Sequence, residues 1–337
     1  MSAKYFTRRQ FLQFGAGSLS FLFLFKFFSN ISKKVKISFQ SSFLPISFKK
    51  TLPKKWKKQK INFAEFKSKK YNNKILDSDF TIINDGWIDI INFENYQNIN
   101  YLSLLDKLDE RSEKFLNTFD EDKRKNLFPI GVVPYAVLIK NNKDLINSAN
   151  ESWDFLLSEK LTGKIIFPQS PRIIMSIAKA INGKNSLGKL KSQAMMYEDK
   201  NSLNWLINSE DSLAIVPYSL CYKYPKIDSR ISIVFPKQGV PLMWHFMLTK
   251  SKNNNDILIE WINSLEKNRT IDKLSNQGWY LPFKNDYSQS KFNQPIKSKI
   301  SSLGPSSECW KNSWSLNPLN SQSKTNYEKL WNESLIP

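Results

Sequence analysis

The stretch Phe235-Pro-Lys-Gln-Gly-Val-Pro-Leu-Met-Trp-His-Phe-Met-Leu-Thr249 constrains the fold of this chain more than any other. Proline locks φ and removes an amide donor, so two prolines flanking a glycine forbid a helix here and favour a change of direction. The residues read as a strand ending at Pro236, an irregular turn through Gly239 and Pro241, then an apolar strand. Trp244 and His245 follow at once, an aromatic face beside a polar tip. One expectation is a crossing between two lobes that lines a ligand cleft. The other is a buried strand pair joined by a structural turn.

A chain of 337 residues is long enough for a substantial core and for about two domains or lobes. Its net charge of +20 is compatible with nucleic acid or an anionic surface as partner. The lysines, however, are scattered among Asn, Ile, Ser and Phe, without a long basic block or an RNA-reading aromatic motif. A codon bias explains that pattern, and no nucleic acid is expected. The single histidine, His245, and the two cysteines, Cys221 and Cys309, cannot build a His-rich metal site or a four-cysteine zinc site. Any Ser-His-Asp arrangement would need His245 itself. No GxGxxG or GxxxxGK[ST] pattern occurs, so no nucleotide cradle is supported. The expectation is a protein with no metal, no cofactor and no enzymatic activity. The two cysteines could pair if the chain is exported.

Thr7-Arg-Arg-Gln-Phe-Leu-Gln13 precedes an apolar run, Phe14 to Phe28, interrupted by Lys26. A basic segment before a short apolar one is an export signal, and the paired arginines followed by Phe-Leu resemble the twin-arginine type. A periplasmic protein, delivered by the twin-arginine machinery, is expected, with residues 1–30 as signal or anchor. No A-x-A cleavage site follows, so the segment could persist as a tether. A membrane span would need about 20 uninterrupted apolar residues.

Beyond this segment, strands are expected at Val35–Phe39, Asp79–Ile83, Phe128–Ile139, Thr162–Pro168, Leu213–Tyr218 and Arg230–Phe235. Asn84-Asp-Gly-Trp87 would form either a ligand-facing strand end or a plain turn. The basic segment Lys49–Lys60 with Trp56 is either a solvated helix face over a buried Trp or a polyanion-binding patch. A polar helix is expected over about 100–117, and a short capped one from Ser152. Ser170 at the N-cap and Pro171 at the first helical position open another, which puts Arg172 in a first turn where an anion could bind. Further helices are expected at Asp256–Leu265 and Thr270–Gln277, the latter closed by Gly278. A Ser/Asn/Lys-rich stretch then leads to a short helix near 326–335. The alternation of strands and helices implies an α/β fold with a mainly parallel sheet in each lobe.

In order and spacing, Asp79-Phe-Thr-Ile-Ile83, Val133-Pro-Tyr135, Ser152-Trp-Asp-Phe-Leu-Leu-Ser-Glu-Lys-Leu-Thr-Gly-Lys164, Ser170-Pro-Arg172, Pro236-Lys-Gln-Gly239 and Gly278-Trp-Tyr-Leu-Pro282 resemble the substrate-binding proteins of ABC importers, in particular the spermidine/putrescine-binding branch. The resemblance implies a two-lobe type II periplasmic-binding-protein fold with two crossing hinge strands. Lobe 1 would take 35–132 and 245–285, lobe 2 would take 133–244, and a tail, 286–337, would pack on the body. It implies capture of a small solute, polyamine-like, for delivery to a membrane ABC permease, with closure biased by ligand. Ligand-binding candidates are Ser41, Phe43, Asn84, Asp85, Trp87, Tyr135, Ser170, Arg172, Tyr218, Trp244, His245 and Trp279. The rings would flank a methylene chain, and carboxylates would hold its ammonium ends. The chain departs from that pattern where the family places acids: it has Ser170, Ile173 and His245, leaving Asp85. Arg172 points instead to a ligand with an anionic group. The remaining alternative is a membrane-tethered basic surface protein that binds polyanions.

Overall fold

The computed structural model describes residues 35–61, 77–99, 102–142, 144–199, 201–210, 212–250, 255–284 and 304–334. The expected export signal at 1–30 and the first part of the tail lie outside them. The described chain forms one mixed sheet in the order β2-β1-β3-β9-β4-β7-β5-β6, with β10 added to β9 and β8 to β4. The strands are β1 (Lys36–Phe39), β2 (Lys57–Lys60), β3 (Phe80–Asn84), β4 (Phe128–Lys140), β5 (Ile165–Phe167), β6 (Ala194–Tyr197), β7 (Leu213–Pro217), β8 (Ile231–Val234), β9 (Pro241–Thr249) and β10 (Trp314–Ser315).

β4 is buried along its whole length, as its near-continuous apolar run requires. Its first half, Phe128 to Pro134, pairs antiparallel with β9, and its second half, Tyr135 to Lys140, pairs with β7 and β8. Pro134 opposes Leu242 at the changeover, and the strand runs through it unbroken. β9 in turn pairs with β3 from His245 to Thr249 and with β10 at Pro241 and Leu242. These two long strands carry the chain between the halves of the sheet. Away from them the pairing is parallel, β1 with β2 and β3, and β5 with β6 and β7. The sheet is therefore parallel at its outer strands and antiparallel at its crossings.

The turn before β9 has Gly239 at φ +94°, where an added Cβ would lie 2.3 Å from the Asn312 carbonyl. Trp153 anchors this turn: its amide donates to Gln238 Oε1 (2.8 Å) and its indole Nε1 to the Gly239 carbonyl (2.9 Å). The change of direction rests on both backbone freedom and a close approach.

The longer helices cover the sheet: α1 (Ile46–Thr51), α2 (Glu110–Leu116), α3 (Asp144–Glu151), α4 (Pro171–Ala180), α5 (Ser186–Gln193), α6 (Ser202–Asn208), α7 (Asn255–Leu265), α8 (Asn268–Ser275), α9 (Ser307–Asn312) and α10 (Ser321–Glu333). Three differ from expectation. The basic segment is not one helix face: α1 stops at Thr51 before Pro53, and Lys57–Lys60 runs as an edge strand while Trp56 stacks on Phe80 at 5.1 Å. The polar helix expected over 100–117 is broken, because Asp109 Oδ1 accepts from the Ser112 amide at 2.8 Å and starts α2 there. The closing helix begins at Ser321, where Asn320 Oδ1 accepts from the Ser323 amide at 2.8 Å. Cys221 and Cys309 are both buried free thiols, so they do not pair.

Candidate functional site

Alternation along β9 sends Trp244 and His245 to opposite faces of the sheet. Trp244 is fully buried. Its ring stacks on Phe115 at 4.7 Å, and Nε1 donates to Ser315 Oγ at 2.8 Å. His245 lies on the other face, 4.5 Å from the Trp279 ring, with both ring nitrogens buried and unpartnered. Burial lowers its pKa to about 3, so the ring is a neutral core group. Trp279 is also fully buried, packed on Phe48 at 4.4 Å, and its Nε1 donates to the Ile130 carbonyl at 3.2 Å. Tyr218 is buried edge-on against Phe235 at 5.1 Å. The expectation that Trp244 and His245 face a cleft, with Tyr218 and Trp279 beside them, therefore gives way to core packing. Large apolar surface close to two crossing strands is covered before it can serve a ligand.

The other candidates divide in two. Asn84 is spent on its turn: its side chain accepts from the Gly86 amide at 3.1 Å and caps a 3-10 helix, Asp85–Ile90. Trp87 and Phe43 are half-buried and pack against the core. Ser41 and Ser170 are also half-buried, and Ser170 makes no side-chain cap for α4. The Phe43 carbonyl accepts from Ser219 Oγ at 3.4 Å, which ties the loop after β1 to the segment after β7.

The charge of Arg172 acts on Asp85, and the charges of Asp85 and Asp199 act on Tyr135. Asp85 sits just past the C-terminal end of β3, where its Oδ1 accepts from the Trp244 amide at 3.3 Å. Burial pushes its carboxyl up to about 7, partly offset by the positive charge of Arg172. Tyr135 is buried at the midpoint of β4, and its hydroxyl is held well above its usual range by burial and by the charges of Asp199 and Asp85. Asp199, just past β6, completes the group. Its Oδ1 accepts from the Gln169 amide at 3.1 Å, and burial raises its pKa. In sequence Asp199 carries the same signal as Asp85, a polar residue following a strand's C-terminal end, at a strand too short and irregular to stand out.

Arg172 also faces the C-terminal segment. Its guanidinium donates to the Asn317 carbonyl at 2.5 Å. Between α4 and that segment lies an open cavity of about 380 Å³, lined among others by Arg172, Ser176, Lys179, Trp314, Asn317 and Tyr327. Lys179 Nζ is 2.8 Å from the Tyr327 hydroxyl. Among the described residues, no acidic side chain lines the cavity. The C-terminal segment holds both halves of the sheet: Arg111 donates to the Trp310 carbonyl (2.7 Å), Lys324 pairs with Asp89 (2.8 Å), and Lys191 donates to the Trp331 and Ser334 carbonyls (2.9 and 2.8 Å). Among the described residues, no group of three or more His, Cys, Asp or Glu could hold a metal ion, and no helix is long and apolar enough to cross a membrane.

Two sheet halves joined by crossing strands, with polar groups gathered at the strand ends between them, define a two-lobe type II binding fold. The family model described as bacterial extracellular solute-binding protein matches residues 92–305. The chain belongs to that family, and its function is that of the solute-binding component of an ABC importer. Among solved structures, it is similar to a spermidine/putrescine ABC transporter substrate-binding protein from Streptococcus pneumoniae (13% identity, TM-score 0.62, 90% of this chain and 98% of that one). It is likewise similar to a lipoprotein of Treponema pallidum (12%, TM-score 0.62, 90% and 99%) and to a ferric binding protein from Campylobacter jejuni (14%, TM-score 0.56, 89% and 99%). No curated protein matches by sequence.

Proposed function

We propose that this protein, built of lobe 1 (35–132 and 245–285) and lobe 2 (133–244), captures a small solute bearing an anionic group at Arg172, in the cavity between α4 of lobe 2 and the C-terminal segment, and presents it to an ABC permease. The observation that carries this is the lining of the cavity beside α4. Arg172 and Lys179 supply two cations, Trp314 and Tyr327 two rings, and among the described residues no carboxylate faces it. A guanidinium in the first turn of a helix suits a carboxylate or phosphate, by charge-assisted hydrogen bonds and by the helix dipole. The Asn317 carbonyl that Arg172 now contacts is an acceptor a solute anion could replace.

A polyamine is the second candidate. It is favoured by Asp85 and Asp199, whose charges both act on Tyr135, and by the pneumococcal structure, whose protein is named as part of a spermidine/putrescine transporter. Against it, three of the rings expected to flank a methylene chain, Trp244, Trp279 and Tyr218, are core groups. Export by the twin-arginine route, with residues 1–30 as signal or anchor, belongs to the same proposal and rests on the arginine pair at 8 and 9.

A thermal-melting panel of phosphate, di- and tricarboxylates, amino acids, putrescine and spermidine tests it. A ligand at 100 times its Kd stabilises by about 2.7 kcal/mol, which is several degrees. The expected result is a rise with at least one anionic solute and none with the polyamines. A rise confined to putrescine or spermidine would replace the anionic solute with a polyamine, and a flat panel would count against solute capture itself.

A further inference from the structure

A strongly basic edge lies apart from the cavity. From Ile46 to Lys60 the chain has seven lysines, at 49, 50, 54, 55, 57, 58 and 60, and no acid. The structure gathers them on one margin of the sheet. β2 is the terminal strand, and Lys57, Lys58 and Lys60 on it are exposed, as are Lys50 on α1 and Lys54 and Lys55 in the turn between them. Lys58 Nζ lies 3.5 Å from the Lys49 carbonyl, so α1 and β2 present their lysines together. The cations are near enough to repel: burial and the charge of Lys60 both lower the pKa of Lys49. At the neighbouring strand, Asp77 pairs with Lys36 at 2.7 Å and Asp79 accepts the Lys36 amide.

Two further features bear on what such an edge meets. Ile46, four residues before Lys50 on α1, is 60% exposed, so a large apolar side chain stands out of the fold among the lysines. Besides this, β1 lies directly against β2, Lys36 opposite Lys57. In sequence, the apolar run of residues 14–28 ends eight residues before Lys36. A stretch of eight residues spans at most about 28 Å, so a membrane that held the run would keep β1 and its partner β2 within that reach of its surface.

We infer that the edge formed by α1, the following turn and β2 is an electrostatic docking surface for an anionic phospholipid bilayer. Its lysines meet the phosphates of the headgroups, and Ile46 enters the interfacial layer. Lysines at an anionic surface add about 1 kcal/mol each, roughly fivefold in binding, and do so only within a Debye length. An exposed apolar side chain adds a part that salt does not screen. Such a surface fixes how the molecule is presented to a membrane partner, independently of which solute the cavity takes.

The test is flotation of the full chain with vesicles of pure phosphatidylcholine and with vesicles containing 30% phosphatidylglycerol, at low and high salt. The comparison protein carries Lys54→Gln, Lys55→Gln, Lys57→Gln and Lys58→Gln, four exposed positions outside the solute site. Its melting curve establishes that it folds. The N-terminal segment is the same in both proteins, so binding to the neutral vesicles measures its contribution. The expected result is at least thirtyfold tighter partitioning of the parent onto the anionic vesicles, screened by salt and largely lost in the variant. Equal partitioning onto both vesicle types, or an unchanged salt-sensitive enhancement in the variant, would overturn the inference. So would tight binding to a single-stranded oligonucleotide or to heparin without vesicle binding, which would identify a polyelectrolyte surface instead. Because solute capture does not depend on this edge, the melting panel can fail while this result stands, and the reverse.

Discussion

Asp85 offers a direct reading of the electrostatics at the end of β3. Its carboxyl is half-buried past the end of β3, and burial raises its pKa from 3.8 to about 7 despite the nearby Arg172. The sign follows from linkage. The folded state binds the proton more tightly than the unfolded chain, so the penalty is absent below about pH 4. It grows as pH rises through the interval up to 7 and is constant above. A shift of that size corresponds to roughly 4 kcal/mol, of which about half is expected after local relaxation. Asp85→Asn keeps an oxygen acceptor for the Trp244 amide, now 3.3 Å from Oδ1, and removes the charge. At pH 8 the variant should therefore be more stable by about 2 kcal/mol, roughly 3–5 °C in melting temperature for a chain of this size. The difference should fade towards pH 4.5. Scanning both proteins by differential calorimetry from pH 4.5 to 8.5 measures it, and the His245 titration cancels in the comparison. A pH-independent difference, or a variant less stable at pH 8, would refute the placement of a protonatable carboxyl there. A binding site that keeps an unfavourable carboxylate gives up stability for function, which is where such costs concentrate.

Three further outcomes follow from the same geometry. His245→Phe removes two buried, unpartnered nitrogens and keeps a ring against Trp279, so its melting temperature should equal or exceed the parent's. The gain should widen below pH 6, because a folded pKa of about 3 costs the parent stability as pH falls from 6.5. His245→Asp should lower the melting temperature by at least 5 °C and should not bind putrescine, since it buries an unpaired carboxylate beneath Trp279. Gly278→Ala meets Tyr218 Cδ1 at 2.6 Å from a backbone at φ +73°, and a loss of about 2–4 kcal/mol is expected in denaturant unfolding.

Much of the fold could be read from the chain because its strands are short apolar runs marked off by Pro, Gly and Asn. β4 and β9 stand out by length and by their prolines, and their crossing role follows. The helices were less legible where local capping competes with periodicity, as at Asp109, or where Pro53 divides one basic segment into a helix and a strand. The site was legible only in part. Asp85 and Arg172 announce themselves by position, one after a strand and one in a helix's first turn. Trp244, Trp279 and Tyr218 could not be assigned from sequence, because an aromatic residue beside a hinge serves a core as readily as a cleft. The side of the sheet it takes is decided by neighbours such as Phe115 and Phe48, far away in the chain. Asn317 and Ser315 gave no periodic signal. They reach Arg172 and Trp244 only because the tail pairs with β9.

The central claim is that a solute anion is held by Arg172, and titration calorimetry of the parent and of Arg172→Ala against the anionic solute that most raises the melting temperature tests it most directly. Losing a charge-assisted hydrogen bond costs about 1.5–3 kcal/mol. The expected result is one site per chain in the parent and an affinity about 10- to 100-fold weaker in the variant, with the fold intact. Equal affinity in the two proteins would contradict the claim.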